Sequence, residues 1–120
     1  MSNKSKDMNM DEMSKRVYRL VSMIPEGRVC TYADIARALG KPRACRVIGN
    51  ILNRNPNPVV VPCHRVVRSD GRIGGYMYGY EAKKRLLESE GIRIDCEERI
   101  IGFESVRFRF VDLDREIDDR

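Results

Sequence analysis

The segment "VVVPCHRVV" places Cys63 beside His64, the only histidine in the chain, directly after Pro62. A free thiol becomes a useful nucleophile when an imidazole, a cation or a helix N-terminus favours its thiolate, and His64 with Arg65 could supply that help. Neighbours on an extended strand point to opposite faces, so a working pair requires a turn, which Pro62 makes reasonable. On spacing alone a buried, inert cysteine next to a surface histidine fits equally well. The other cysteines, Cys30, Cys45 and Cys96, are widely spaced and form no CxxC pair. Neither a zinc site nor a disulfide framework is indicated, and reduced thiols are expected.

The elements that must hold such a pair can be read from periodicity. Met10, Met13, Val17, Leu20, Val21 and Ile24 recur at helical spacing until Pro25 and Gly27 stop the pattern. Thr31 with Asp34 resembles a capping box for a short second helix through Ile35, Ala36 and Leu39, ended by Gly40. Pro42 then suits the first turn of a third helix, whose Ala44, Ile48, Ile51 and Leu52 share one side. Its other stripe carries Arg43, Arg46, Asn50, Asn53 and Arg54, with Gly49 between them. Two short helices of this kind read either as a helix-turn-helix or as a plain helical hairpin with a solvated face.

The run Val59, Val60, Val61 reads as a buried strand entering the Cys-His pair, and Val66 with Val67 as another. "RSDGRIGGY" is a glycine-rich turn, "YGYEAKKRLLESEG" a final helix closed by Gly91, and the alternation of Val106, Phe108 and Phe110 suggests one more strand. The expected fold is mainly α with a small β component, built as a winged-helix-like helix-turn-helix.

The chain has 120 residues, enough for one core, with 42% hydrophobic and 34% charged residues. No apolar run is long enough to cross a membrane and no signal-peptide core is present, so a cytoplasmic protein without a membrane partner is expected. Residues 1 to 91 hold 17 Lys/Arg against 9 Asp/Glu, net +8, and residues 92 to 120 hold 6 against 9, net −3. A basic body suits a polyanion such as DNA, although many solvated surfaces are also basic.

"PCHRVV", preceded by "NRNPNPVVV" and followed by "GRIGGYMYGYEAKKRLLESEG", resembles the O6-alkylguanine-DNA alkyltransferase family over about Val17 to Ile92. The resemblance implies direct repair of O6-alkylguanine in double-stranded DNA. Cys63 is then the acceptor thiol, alkylated once and irreversibly. His64 is implied as a base acting through water, Glu90 as its orienting acid, and Asn55 as the brace of the thiol turn. Tyr32 is implied as the proton donor to the guanine N3. The carbonyls of Cys63 and Val66 are implied as acceptors for the exocyclic amine, with Tyr76 walling the base pocket. Arg46 matches the finger that fills the vacated stack when the base flips.

The small Ala44, Cys45 and Gly49 suit a helix in the minor groove, with Arg43 and Arg65 as further DNA contacts, but Val47 and Asn50 are bulkier than the family pattern. Met77 and Tyr78 stand where many relatives carry small residues, so Tyr78 is expected to narrow the pocket and favour methyl over benzyl adducts. No cofactor and no metal are implied, and a monomer is expected.

The organisation expected is a flexible segment 1–9, an alkyltransferase domain 10–92 and an extension 93–120 packed on that domain. Rival readings are a lesion-binding relative, which typically has tryptophan in place of the acceptor cysteine, a helix-turn-helix transcription regulator, and a cysteine hydrolase.

Overall fold

The computed structural model describes residues 9 to 110. The elements run α1 (Met10–Val21), β1 (Cys30–Thr31), α2 (Tyr32–Ala38), α3 (Cys45–Leu52), a single 3-10 turn (Cys63–Arg65), β2 (Val66–Val67), α4 (Tyr80–Ser89) and α5 (Phe103–Val106). The fold is mainly helical with one two-stranded sheet.

Helix α1 begins where the Asn9 side chain accepts from the Glu12 amide, and it buries Met13, Val17 and Val21. The Thr31–Asp34 capping box is formed in both directions and starts α2. Helix α3 starts later than Pro42 suggests. The Ala44 amide donates to the Lys41 carbonyl in a turn, and the helix begins only at Cys45. The Tyr18 hydroxyl donates to the Ile51 carbonyl at 2.7 Å and locks α1 onto α3.

Strands β1 and β2 pair in parallel, Cys30 opposite Val66 and Thr31 opposite Val67. Successive side chains on a strand face opposite ways, and here both faces are covered. Cys30 and Val66 belong to a core shared with α1, α2 and α3, whereas Val29 and Val67 belong to a second core with Ile73, Leu87, Ile92 and Ile100. The sheet is small, but it sits between the two cores and so fixes the chain that leaves the thiol turn.

Val59 to Val61 is not a buried strand. Val59 and Val60 are 53% and 79% exposed, and the Val61 amide donates to the Asn57 carbonyl, closing a turn between Pro58 and Pro62. Prolines at both ends remove the amides that a ladder needs. Val59 adopts φ 75°, which is unusual for a β-branched residue.

Among the described residues the expected C-terminal strand is also replaced. Phe103–Val106 forms a helical turn, followed by a single parallel bridge between Val29 and Arg107. The alternation still has a cause, since Phe108 and Phe110 pack on the first core and Val106 on the second. Residues 94–100 form a tight turn around Asp95, and the Ile100 amide donates to the Gly71 carbonyl. The expectations for residues 1–8 and 111–120 lie outside the described residues.

Candidate active site and nucleic-acid interface

Cys63 opens the 3-10 turn after Pro62 and is buried, its amide donating to the Val61 carbonyl at 2.8 Å. Asn55, 3% exposed, stands behind it. Its Nδ2 donates to the Val61 carbonyl at 2.8 Å and lies 3.3 Å from the Cys63 Sγ, while its Oδ1 accepts from the Asn57 amide at 2.9 Å. One amide side chain thus ties the proline-bounded turn to the sulfur. Burial pushes the Cys63 thiol above its ordinary value, opposed by the Asn55 hydrogen bond and the charge of Lys83. The resting group is a thiol, so a base is needed to make the nucleophile.

His64 is completely buried. Its Nε2 lies 3.0 Å from Oε2 of Glu90, the residue that caps α4. Arg65 donates to both oxygens of the same carboxylate, from Nε at 2.9 Å and Nη2 at 2.7 Å, and from Nη1 to the Ile24 carbonyl at 2.8 Å. Burial raises the Glu90 carboxyl, but the Arg65 and His64 hydrogen bonds outweigh this and hold it below the usual range. An ionised Glu90 can only accept, so Nε2 of His64 carries the hydrogen and Nδ1 keeps a lone pair. Nδ1 has no hydrogen-bond partner among the described residues. Burial also lowers the imidazole, against Glu90, so it is neutral at pH 7 and available as a base.

Of the base-pocket residues expected from sequence, Tyr76 and Met77 pack, as Tyr32 does, on the core that holds Cys63 and Val66. Tyr32 opens α2 and is partly buried. Burial raises its hydroxyl, as does the Cys63 charge, while Arg68 acts in the opposite sense. Val66 is buried, and its carbonyl already accepts from Lys83 Nζ at 2.7 Å. The Cys63 carbonyl accepts from the Val66 amide. The Tyr76 hydroxyl is buried without a partner among the described residues and is raised to about 12, first by burial and then by the Cys63 charge. Met77 packs against the first core. Tyr78 is 61% exposed, with its ring edge-on to Tyr76 at 5.7 Å.

The expected DNA-binding residues divide. Cys45, Arg46 and Gly49 line one groove of about 590 Å³ together with Tyr32, Ala33, Arg68, Ser69 and Asp70. Arg43 and Ala44 instead border an apolar groove with Met10, Met13 and Val47, and Ala44 is buried, because the late start of α3 turns it toward the core. Arg65 leaves the list of free surface cations, since Glu90 and Ile24 engage its guanidinium. Among the described residues no group of three or more His, Cys, Asp or Glu is placed to hold a metal, and no helix is long and apolar enough to cross a membrane.

Two features escape sequence reading. Lys83 is fully buried, its Nζ donating to the Val66 and Gly75 carbonyls and lying 6.0 Å from the Tyr32 ring centre. The available signal was its place four residues before buried Leu87 on α4, a core position occupied by a cation. Asp34, half of the capping box, also accepts from Arg107 Nε and Nη2 at 3.1 and 2.9 Å, a contact 73 residues away that no local pattern announces.

Residues 12–92 match the family model for 6-O-methylguanine DNA methyltransferase, DNA binding domain. The methylated-DNA–protein-cysteine methyltransferase of Methanothermobacter thermautotrophicus is 51% identical over 85 residues, covering 70% of this chain and 47% of that protein. The chain spans about half the length of several curated relatives it matches. Among solved structures, the Mycobacterium tuberculosis OGT in complex with DNA is 38% identical with a TM-score of 0.64, covering 66% of this chain and 49% of that one. Atl1 of S. pombe, in complex with damaged DNA containing O6-carboxymethylguanine, is 32% identical with a TM-score of 0.75, covering 85% of this chain and 99% of that one. The site geometry, the matched span and these likenesses agree, and the chain belongs to the family of the 6-O-methylguanine DNA methyltransferase DNA-binding domain.

Proposed function

We propose that this chain repairs O6-alkylguanine in double-stranded DNA by moving the alkyl group onto Cys63 in a single, irreversible event. The observation that carries the reading is the buried relay in which Glu90 fixes His64 with its lone-pair nitrogen free, next to a thiol braced by Asn55. The target atom lies inside the duplex, so the nucleotide flips out, at an unstacking cost of a few kcal/mol. Arg46, exposed on α3, fills the gap, with Cys45 and Gly49 allowing close approach to the minor groove. A Cβ at Gly49 would meet nothing within 4 Å, so that face is open to a partner.

In the transfer step the thiol proton passes through one water to His64 Nδ1, and Sγ attacks the alkyl carbon. The carbon–O6 bond breaks with its electron pair moving into the guanine, and the Tyr32 hydroxyl donates a proton to N3. The products are an S-alkyl cysteine and guanine, restored when water protonates N1 and the N3 proton returns to the Tyr32 phenolate; His64 gives its proton to water, and the balance needs no cofactor. Because the thioether is not cleaved, each molecule acts once. The Cys63 and Val66 carbonyls receive the exocyclic amine on their remaining lone pairs, and Tyr76 offers its unpartnered hydroxyl to the pocket.

The test is intact-protein mass after incubation with a duplex carrying one O6-methylguanine, for the wild type and Cys63→Ser. A gain of one methylene located at Cys63, and absent from the variant, is expected. A second reading, recognition without transfer, draws on the likeness to Atl1, which spans nearly the whole of that protein. It predicts preferential binding of the lesion duplex with no change of mass. The presence of Cys63 favours transfer.

A further inference from the structure

The groove that holds Arg46 has a second wall that the reading above leaves without a role. That wall is the turn after β2, where Arg68, Ser69 and Asp70 face α3 across Tyr32. The turn is tightly built: the Arg68 amide donates to the Arg72 carbonyl at 2.9 Å, the Gly71 amide to the Arg68 carbonyl at 3.0 Å, and the Arg72 amide to Asp70 Oδ1 at 3.0 Å. The other carboxylate oxygen, Oδ2, lies 3.2 Å from Arg68 Nη2. The Arg68 stem lies over Gly74, where a Cβ would come within 3.1 Å of its Cγ and where φ is 78°. Glycine at that position lets the arginine stem lie flat and hold its guanidinium at the groove rim.

We infer that Arg68 is a DNA phosphate ligand opposite Arg46, and that Asp70 holds it in place until a phosphate takes the carboxylate's position. The inference rests on the proposed DNA-repair reading and deepens it. The Arg68 and Asp70 side chains are 54% and 41% exposed, and an ion pair in that setting contributes little net stability. Exchanging Asp70 for a phosphate therefore forfeits little, while the guanidinium fork suits phosphate oxygens as well as it suits a carboxylate. The backbone bond from Arg72 keeps Asp70 anchored after the exchange, so the carboxylate remains beside the groove. A bare carboxylate there repels the backbone of any duplex whose phosphate does not reach Arg68. The same placement explains why the Arg68 charge acts on the Tyr32 hydroxyl, opposing the upward push of burial. Arg68 thus connects grip on the backbone to the residue that meets the flipped base.

The experiment is a salt titration of binding to a fluorescein-labelled, undamaged duplex, which no transfer step perturbs. It compares the wild type, Arg68→Gln, Asp70→Asn and the double variant, with thermal melting to confirm that each is folded. Arg85→Gln, exposed on α4 and outside the groove, serves as a control for loss of one charge. Arg68→Gln is expected to lower the slope of log affinity against log salt by about 0.9, the loss of one phosphate contact on B-form DNA. Asp70→Asn is expected to tighten binding several-fold, and that gain should vanish in the Arg68→Gln background because the two residues act through one exchange. An unchanged slope in Arg68→Gln, or the same slope loss in the Arg85→Gln control, overturns the role of Arg68. A gain from Asp70→Asn that persists in the double variant makes Asp70 a simple repelling charge and overturns the exchange. A wild type that transfers methyl groups while Arg68→Gln binds DNA as tightly as it does defeats this inference alone. A wild type that binds no duplex removes the DNA-repair reading and this one with it.

Discussion

Glu90 accepts His64 Nε2 at 3.0 Å while the same carboxylate is gripped on both oxygens by Arg65. The carboxylate is therefore anchored before it orients the imidazole, and it has one angle from which to do so. Burial lowers the imidazole below 6.5, Glu90 opposes this, and the nearby cations Arg65 and Lys83 add to the lowering. The neutral base is present above that lowered value and lost as pH falls through it. The rate of single-turnover transfer should consequently show an acid limb below pH 6.5. Glu90→Gln removes the group that resists the lowering, so the limb should move further toward acid while the plateau falls roughly 100-fold through loss of imidazolium support. An acid limb above pH 6.5, or a plateau equal to wild type in the variant, contradicts this assignment.

Asn55 is predicted to matter to both stability and reactivity. Asn55→Ala removes one of two donors to the Val61 carbonyl, which keeps the Cys63 amide, and should cost about 1 kcal/mol for the lost hydrogen bond. The Asn57 amide is exposed enough to find water, so it adds little. The variant also removes a donor that favours the thiolate, and the Cys63 thiol should titrate higher still. Urea denaturation and the pH dependence of iodoacetamide alkylation read the two effects separately. A variant as stable as wild type with an unshifted thiol titration would refute the brace.

The helices were legible because a 3.6-residue repeat is a local signal. Met13, Val17 and Val21 are buried where the repeat places them, and Gly91, at φ 92°, ends α4 as its position suggested. Strand β1 was not legible, since two residues carry no alternation and Cys30–Thr31 becomes a strand only by meeting Val66–Val67. At Val59–Val61 the β-branched residues pointed to a strand, but the flanking prolines and the Asn57–Val61 hydrogen bond won. The thiol and imidazole were visible as neighbours, yet the relay runs from His64 to Glu90, 26 residues on, and required the family likeness to suggest it. Arg65, read both as a candidate helper of the thiol and as a DNA contact, is engaged elsewhere. Its actual partner is the carboxylate that serves the histidine.

Arg107 reaches from the C-terminal extension to Asp34, and their side chains are 14% and 8% exposed. Burial raises the Asp34 carboxyl, but the Arg107 and Thr31 hydrogen bonds hold it below its usual value. Its contribution to stability is present above the unfolded carboxylate value of about 3.9 and is lost as pH falls through the depressed folded value. Arg107→Ala leaves the Asp34 carboxylate with the Thr31 amide and Arg37 as its donors, and should cost about 1–3 kcal/mol at pH 7, less than a fully orphaned buried charge. The gap between wild type and variant should narrow on going from pH 7 to pH 3, as measured by urea denaturation. Because Asp34 caps the helix that starts at Tyr32, transfer should slow in the variant even where it remains folded. A gap independent of pH would show that the pair contributes through packing against Phe103 alone.

Lys83 offers the sharpest test of electrostatics at the thiol. Burial lowers its ammonium to about 7, and the Cys63 charge acts the other way. Lys83→Met keeps the length and removes the cation, leaving the Val66 and Gly75 carbonyls without this donor. The Cys63 thiol should then titrate higher, and iodoacetamide alkylation at fixed pH should slow. Binding of undamaged DNA should not change, because Lys83 has no exposed surface. Stability carries an independent sign. The unfolded lysine holds its proton up to about 10.4 and the folded one releases it near 7, so the unfolded state binds more protons in between. Wild type should therefore gain stability over Lys83→Met as pH rises from about 7 to 8.5, below the range in which the unfolded thiols ionise fully. A stability difference that stays flat over that interval would mean Lys83 keeps its charge when buried, and an unshifted thiol titration would mean that charge does not act on Cys63.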